Sequence, residues 1–249
     1  MESKTKGMIF QHIQAQISVG KKLLAVLIDP GKTSQTHLVQ TSLQAKQEGV
    51  DFLLAGGSLM LNQEMDETIR LLKKESGLPV LIFPGSTMQI SAEADAILFL
   101  SMISGRNPDL LIGRHVESAA HIKQIQLEAI STGYMLIDGK QFSSVQYISQ
   151  TLPIPHNKPD IASATAIAGE MLGLKMIYMD AGSGALQPIS SDMIKSVRKC
   201  VSIPLWVGGG IRTSEQANAA WNAGANVVVV GNAIEENLQL IRQIAASKF

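Results

Sequence analysis

The sequence predicts an α/β fold, a single (β/α)8 TIM barrel, and three observations carry that prediction. Short continuous apolar runs recur eight times along the 249 residues, helix-like stretches separate them, and glycine clusters follow the last two runs. Continuous rather than alternating apolar runs are expected of parallel strands covered on both faces. Eight of them alternating with helices favour a closed barrel over an open doubly wound sheet, and the length suits one barrel. One domain spanning residues 1–249 is therefore expected.

The runs fall at Lys22–Asp29, Val50–Ala55, Pro79–Phe83, Ala94–Leu100, Gly133–Asp138, Lys175–Asp180, Ile203–Val207 and Asn226–Val230. Helical patterns occupy Ser34–Glu48, Met65–Ser76, Ser163–Leu172, Ser190–Cys200, Ser214–Ala223 and Glu235–Ala246. Most open on serine and stop before glycine, the punctuation set by side-chain capping and by the left-handed turn that glycine tolerates. Phe83–Ala94 is interrupted by Pro84-Gly85, which makes the barrel atypical around strand three. Ser101–Thr132 reads as a loop entering a helix, and Gln141–Pro159, with three prolines and no clear period, as a lid or an oligomer contact. The phrases EGVDFLLAGG and AGANVVVVGN echo one another, as repeated βα units would.

Charged residues are 17% of the chain and the formal net charge is zero, so no basic excess points to nucleic acid and no polybasic block to an anionic membrane. An anionic ligand must then be held by backbone amides, helix N-termini or a metal. Met1–Lys6 lacks the apolar core of a signal peptide, no run is long enough to span a bilayer, and a cytoplasmic location is expected. The lone Cys200 is expected to be buried and inert. Pro30-Gly31-Lys32-Thr33 is not a P-loop, because the required upstream glycine is Val26. No GxGxxG opens a helix after strand one, and the five histidines show no metal-ligand spacing.

Active sites of barrels lie at the C-terminal ends of the strands. There the sequence offers Asp29 after strand one, Gly56-Gly57-Ser58 after strand two, Asp138 after strand five and Asp180-Ala181-Gly182-Ser183-Gly184 after strand six. Gly208-Gly209-Gly210 and Gly231-Asn232 follow strands seven and eight. Glycine lets backbone amides approach a ligand closely, so a phosphate site at strands six to eight is expected. Tyr178 and Asp180 share a strand face, and Asp180 is placed to take a proton from a substrate hydroxyl. Asp29 offers a hard oxygen ligand for Mg²⁺ beside the phosphate cradle; Ser58 is either a second ligand or a helix cap. Arg114 and His115 either touch a diphosphate or lie on the surface.

Taken together, Leu27-Ile28-Asp29-Pro30, Gly56-Gly57-Ser58, Ser104-Gly105-Arg106-Asn107-Pro108, Tyr178–Gly184, Val207–Ile211 and Val230-Gly231-Asn232 resemble the geranylgeranylglyceryl phosphate synthase family over nearly the whole chain. The resemblance implies a barrel with one helix replaced by irregular chain near strand three. It implies transfer of a prenyl group from a prenyl diphosphate to the 3-hydroxyl of sn-glycerol 1-phosphate, with Mg²⁺, in ether phospholipid biosynthesis. By position, Tyr178, Met179, Asp180, Ala181, Gly182, Ser183, Gly184, Gly208, Gly209, Gly231 and Asn232 would hold glycerol phosphate, Asp29 and Ser58 the magnesium, and Asp180, where the family often has glutamate, would accept the proton. Leu27 stands where the heptaprenyl branch of the family has lysine, which favours geranylgeranyl diphosphate as donor. The resemblance further implies a homodimer or homohexamer, with a peripheral membrane contact for product release. Met88, Ile90, Phe99, Leu100, Met102 and Ile103 are candidates for an apolar tail groove. Two other readings remain: a sugar-phosphate isomerase using Asp29 and Asp180, and a non-catalytic prenyl phosphate binder.

Overall fold

A computed structural model describes residues 8–58 and 65–248 of the chain. The reading of Met1–Lys6 lies outside the described residues. Eight parallel strands close in sequence order, β1 (Leu23–Ile28), β2 (Phe52–Ala55), β3 (Val80–Ile82), β4 (Ala96–Met102), β5 (Glu128–Leu136), β6 (Met176–Asp180), β7 (Leu205–Gly208) and β8 (Val227–Val230), the last pairing with β1 through Ala25 and Val229. The helices are α1 (Met8–Ser18), α2 (Gln35–Gln47), α3 (Met65–Ser76), α4 (Arg114–Gln124), α5 (Ser144–Ser149), α6 (Pro159–Met171), α7 (Ser191–Cys200), α8 (Ser214–Asn222), α9 (Asn232–Glu236) and α10 (Gln239–Ala246).

Strand parity builds two cores. Alternate residues such as Ala25, Phe52, Leu98, Tyr134, Tyr178, Trp206 and Val229 fill the barrel, while Val26, Leu53, Ile97, Met179, Val207 and Val228 pack outward against the helices. At the foot of the barrel, α1 lays Ile13, fully buried, against the interior cluster. The carboxylate of Glu128 accepts from the first amides of that helix, Ile9 N at 2.9 Å and Phe10 N at 3.0 Å, and so fixes the plug to β5.

Between β3 and β4 the chain forms only a 3-10 turn, Thr87–Gln89, instead of a helix, as the Pro84-Gly85 interruption implies. The buried Gln89 side chain holds this irregular stretch, donating to Gly57 O at 2.8 Å and accepting from Gly85 N at 2.9 Å.

Several expectations are corrected. Strand five begins at Glu128, five residues before the predicted Gly133; its first half carries Glu128, Ser131 and Thr132, which masked the apolar run. The segment Ser101–Thr132 does enter a helix, through a π-helical turn (Asp109–Gly113) into α4, but its ends belong to β4 and β5. In Gln141–Pro159, α5 and a parallel bridge between Ile137 and Ile154 give order where no period was visible. The sixth helix starts at Pro159, a favoured first helical residue, rather than at Ser163. The last predicted helix divides into α9 and α10. Cys200 is exposed although it shares the helix face of the buried Met193 and Val197, because it is the last residue of α7.

Candidate active site

A cavity of about 410 Å³ opens at the C-terminal ends of the strands. Its floor is aromatic. Phe83, Tyr134 and Tyr178 reach it from β3, β5 and β6, with the Tyr134 and Tyr178 rings stacked 5.8 Å apart and Phe83 5.1 Å from Tyr178. The strand register sets this pair, since Tyr134 lies directly beside Tyr178.

Asp180 ends β6 with its side chain turned inward, on the same face as Tyr178 as parity requires. It is 8% exposed, and its remaining surface faces the cavity. The Tyr134 hydroxyl donates to Oδ2 at 2.7 Å and the Gly182 amide to Oδ1 at 2.8 Å. Burial pushes the Asp180 carboxyl above the ordinary aspartate range, while the two donors pull it partly back. Burial, and then the charge of that carboxylate, push the two tyrosines well above the ordinary phenol range, so both stay neutral and Tyr134 remains a donor.

The glycines after β7 differ in role. Gly208 does not line the cavity; a Cβ there would stand 2.6 Å from the Tyr178 hydroxyl, so the residue makes room for the floor. Gly209 does line it, at φ +82°, and a Cβ there would lie 2.7 Å from both Ala181 N and Asp180 Oδ1. Only glycine lets this turn close over the end of β6. Gly182, Ser183, Gly184, Gly231 and Asn232 line the same side, and the Ser183 hydroxyl donates to Asn232 Oδ1 at 3.1 Å, tying the β6 loop to the start of α9. Met179 points into the outer core and Ala181 is buried against it, so neither side chain reaches the cavity.

Beside the β8 turn, Asp29 follows β1. Its Oδ1 accepts from Gly31 N at 3.0 Å and its Oδ2 pairs with Lys32 at 3.1 Å. The carboxylate rests on Gly57, where a Cβ would approach it to 2.8 Å, and Ser58 lines the wall next to it. Glu235, partly buried on α9, is pushed above the usual range by burial and then by the negative charge of Asp29. Sequence reading missed Glu235, which sits inside a helix and not at a strand end. Asp138 proves to be a turn residue, accepting from Lys140 N at 2.9 Å, and does not line the cavity.

The remaining wall is apolar. Ile90, Phe99, Leu100 and Met102 line it as expected, whereas Met88 is exposed and Ile103 packs into the outer core. His115 belongs to this end: its ring meets Phe99 edge-on at 4.4 Å, and burial lowers its basicity. Arg114 lies at the rim, paired with Glu117 at 2.9 Å. Tyr134 and Gln89 also went unread in the sequence. The signal for Tyr134 was present, because GYMLID and IYMD bring a tyrosine to the same level on adjacent strands.

Comparison with known proteins agrees with this architecture. A geranylgeranylglyceryl phosphate synthase of Chitinophaga pinensis is 51% identical over 226 residues, covering 91% of this chain and 90% of the relative. One from Thermococcus kodakarensis is 42% identical over 217 residues, covering 87% and 85%. The crystal structure of (S)-3-O-geranylgeranylglyceryl phosphate synthase from Thermoplasma acidophilum, in complex with sn-glycerol-1-phosphate, superposes with a TM-score of 0.91 at 30% identity, over 96% of this chain and 97% of that one. An N-acetylmannosamine-6-phosphate 2-epimerase from Clostridium perfringens, at 18% identity and a TM-score of 0.56, shares the fold alone. The PcrB family model matches residues 17–248, and the chain belongs to that family, together with these geranylgeranylglyceryl phosphate synthases.

Proposed function

We propose that the protein is a prenyltransferase that joins a prenyl diphosphate, geranylgeranyl diphosphate by preference, to the 3-hydroxyl of sn-glycerol 1-phosphate and releases diphosphate. The observation that carries this reading is the division of one cavity into a glycine-lined end, an apolar end and a desolvated carboxylate, Asp180, between them. The relatives' names and the glycerol phosphate bound in the Thermoplasma enzyme support it.

In this reading the turns at Gly182–Gly184, Gly209 and Gly231-Asn232 hold the acceptor's phosphate through backbone amides and the Ser183 hydroxyl. The acceptor hydroxyl then faces Asp180. Its oxygen bonds to the allylic carbon of the donor, the bond from that carbon to the diphosphate oxygen breaks, and the diphosphate leaves with the electron pair. The hydroxyl proton passes to Asp180, whose raised basicity suits it to accept one. Tyr134 stays a hydrogen-bond donor throughout and fixes the orientation of the carboxylate. Holding both reactants in one orientation removes much of the entropic part of the barrier. The prenyl chain runs along Ile90, Phe99, Leu100 and Met102, where Leu27, with no charge, adds to the apolar lining.

The residues around Asp29 fit a magnesium ion. The donors there are hard oxygens, from Asp29 and Ser58, and Glu235, whose proton affinity is raised by burial and by the negative charge of Asp29, is a neighbour whose strain a divalent cation would relieve. When bound, the ion would neutralise charge on the diphosphate. A cytoplasmic homodimer or homohexamer completes the proposal.

The test supplies sn-glycerol 1-phosphate or its 3-phosphate enantiomer with prenyl diphosphates of several lengths, with and without Mg²⁺. The expected result is an ether lipid from the 1-phosphate and geranylgeranyl diphosphate, dependent on Mg²⁺. No lipid product from any combination would refute the proposal. Turnover of sugar phosphates without metal would favour an isomerase instead.

A further inference from the structure

The loops after β2 and β3 are joined by a side chain that stays out of the cavity. Gln89 is 1% exposed and does not line the cavity, yet its amide bonds two glycines that do. It donates to Gly57 O at 2.8 Å and accepts from Gly85 N at 2.9 Å. The partners fix its orientation, because a carbonyl only accepts and a backbone N–H only donates. Among the described residues no other side chain bonds either group.

From Gln89 the contacts run to Asp29 without slack. A Cβ on Gly85 would overlap Gly57 O, and one on Gly57 would stand 2.8 Å from Asp29 Oδ2. Gly56 N donates to Ile28 O at 3.0 Å, which carries the β1–β2 ladder up to the residue before Asp29. The Asp29 carboxylate thus rests on Gly57, Gly57 rests on Gly85, and Gln89 bonds the last two together. Packing this close passes a displacement on and does not absorb it. Elsewhere in the barrel an α-helix follows each strand; between β3 and β4 only the 3-10 turn does, and Gln89 sits on it. Ser58 follows Gly57, Ile90 follows Gln89, and both line the cavity.

We infer that Gln89 is a positioning residue for the donor's diphosphate: by fixing Gly57 it sets Asp29 and Ser58 in place for the diphosphate and its magnesium ion, without touching either. The inference rests on the prenyltransferase reading. The acceptor's turns after β6 and β7 lie outside this chain of contacts, because the closed strand order puts β6 and β7 opposite β2 and β3. Gln89 therefore acts on one substrate and not on the other.

The test is a binding measurement. Calorimetry follows inorganic diphosphate with Mg²⁺, and separately sn-glycerol 1-phosphate, on the wild type, Gln89→Met and Gln89→Glu. Methionine fills the space but bonds neither loop. Gln89→Met is expected to lose roughly 10–100-fold in affinity for magnesium diphosphate, the range for groups that orient metal ligands. Its affinity for glycerol phosphate is expected to stay within about twofold of wild type. The stoichiometry reports the folded fraction, so poor folding lowers the number of sites and not their affinity. In Gln89→Glu the introduced carboxyl donates to Gly57 O only when protonated. Its loss of diphosphate affinity, taken against wild type at each pH, is expected to narrow as pH falls; this closer isostere decides alone if Gln89→Met does not fold. Positioning is overturned if Gln89→Met binds magnesium diphosphate as wild type does, or loses both ligands alike. It is also overturned if Gln89→Glu shows no loss, or a loss of constant size across the pH series. Ether lipid formation is assayed in parallel. A wild type that binds both ligands yet forms no ether lipid counts against the prenyltransferase reading alone, and one that binds no diphosphate overturns both.

Discussion

The two rims of the barrel use the same kinds of residue for opposite ends. At the N-terminal rim, polar side chains just before a strand take an amide at the start of the preceding strand. Asp51, before β2, accepts from Leu24 N at 2.9 Å; Asp95, before β4, from Val80 N at 2.9 Å; Asn226, before β8, from Leu205 N at 2.8 Å. Cations hold the two acids there: Lys248 and Lys21 on Asp51, Lys73 on Asp95. At the C-terminal rim, Asp180 is buried more deeply than Asp95 but is held by a neutral tyrosine and one amide, and it opens on a cavity. Burial with a cation makes a carboxylate an anchor, whereas burial among neutral donors leaves it short of stabilisation and ready for a proton.

Substitutions at the two rims should therefore separate. Gly209→Ala is expected to have the largest effect at the upper rim. Its methyl group meets Asp180 and the β6 amides in a left-handed turn, so stability falls by about 1–3 kcal/mol and the KM for glycerol phosphate rises more than tenfold. Thermal unfolding and steady-state kinetics would show both. Asp51→Ala at the lower rim leaves the buried Lys248 ammonium and Leu24 N without their partner. It is expected to cost about 3 kcal/mol in denaturant unfolding while kcat stays unchanged. A changed kcat would mean that the rims are coupled.

The smallest expected effect is a displaced pH profile. Asp180 must be ionised to accept a proton, so activity falls as pH drops through its raised pKa. Tyr134→Phe removes a hydrogen bond that favours the ionised form. The acid limb of kcat should therefore move to higher pH, with the alkaline side little altered. A limb that stays in place would show that another group governs it.

The fold was legible because apolar runs and glycine stops recur with the barrel's own period. Even the echo between EGVDFLLAGG and AGANVVVVGN has a physical basis, since Asp51 and Asn226 occupy its equivalent position and make the same bond to a neighbouring strand. Strand β5 was misplaced because Glu128, Ser131 and Thr132 interrupt its first half, although Thr132 is fully buried. At the site, Asp180, Asp29 and the glycines were legible from their places at strand ends. Glu235 was not, since its place depends on a helix returning over β1, and Tyr134, although its pattern is present in the sequence, takes its role from strand register. Gly208, Met179 and Ala181 belong to the motif but not to the cavity lining, because motifs keep residues for backbone clearance as well as for contact.

The central claim is that Asp180, unlike the acids of the lower rim, takes the proton during prenyl transfer. It is tested most directly by measuring ether lipid formation by Asp180→Asn at saturating prenyl diphosphate and sn-glycerol 1-phosphate, together with the affinity for glycerol phosphate. Because the raised pKa means that ionisation of Asp180 costs stability at neutral pH, the variant should fold at least as stably as wild type there. The expected result is turnover lower by roughly 10²–10⁴-fold with affinity nearly unchanged. Turnover within about tenfold of wild type would contradict it, because it would fall below the range expected for loss of a general base.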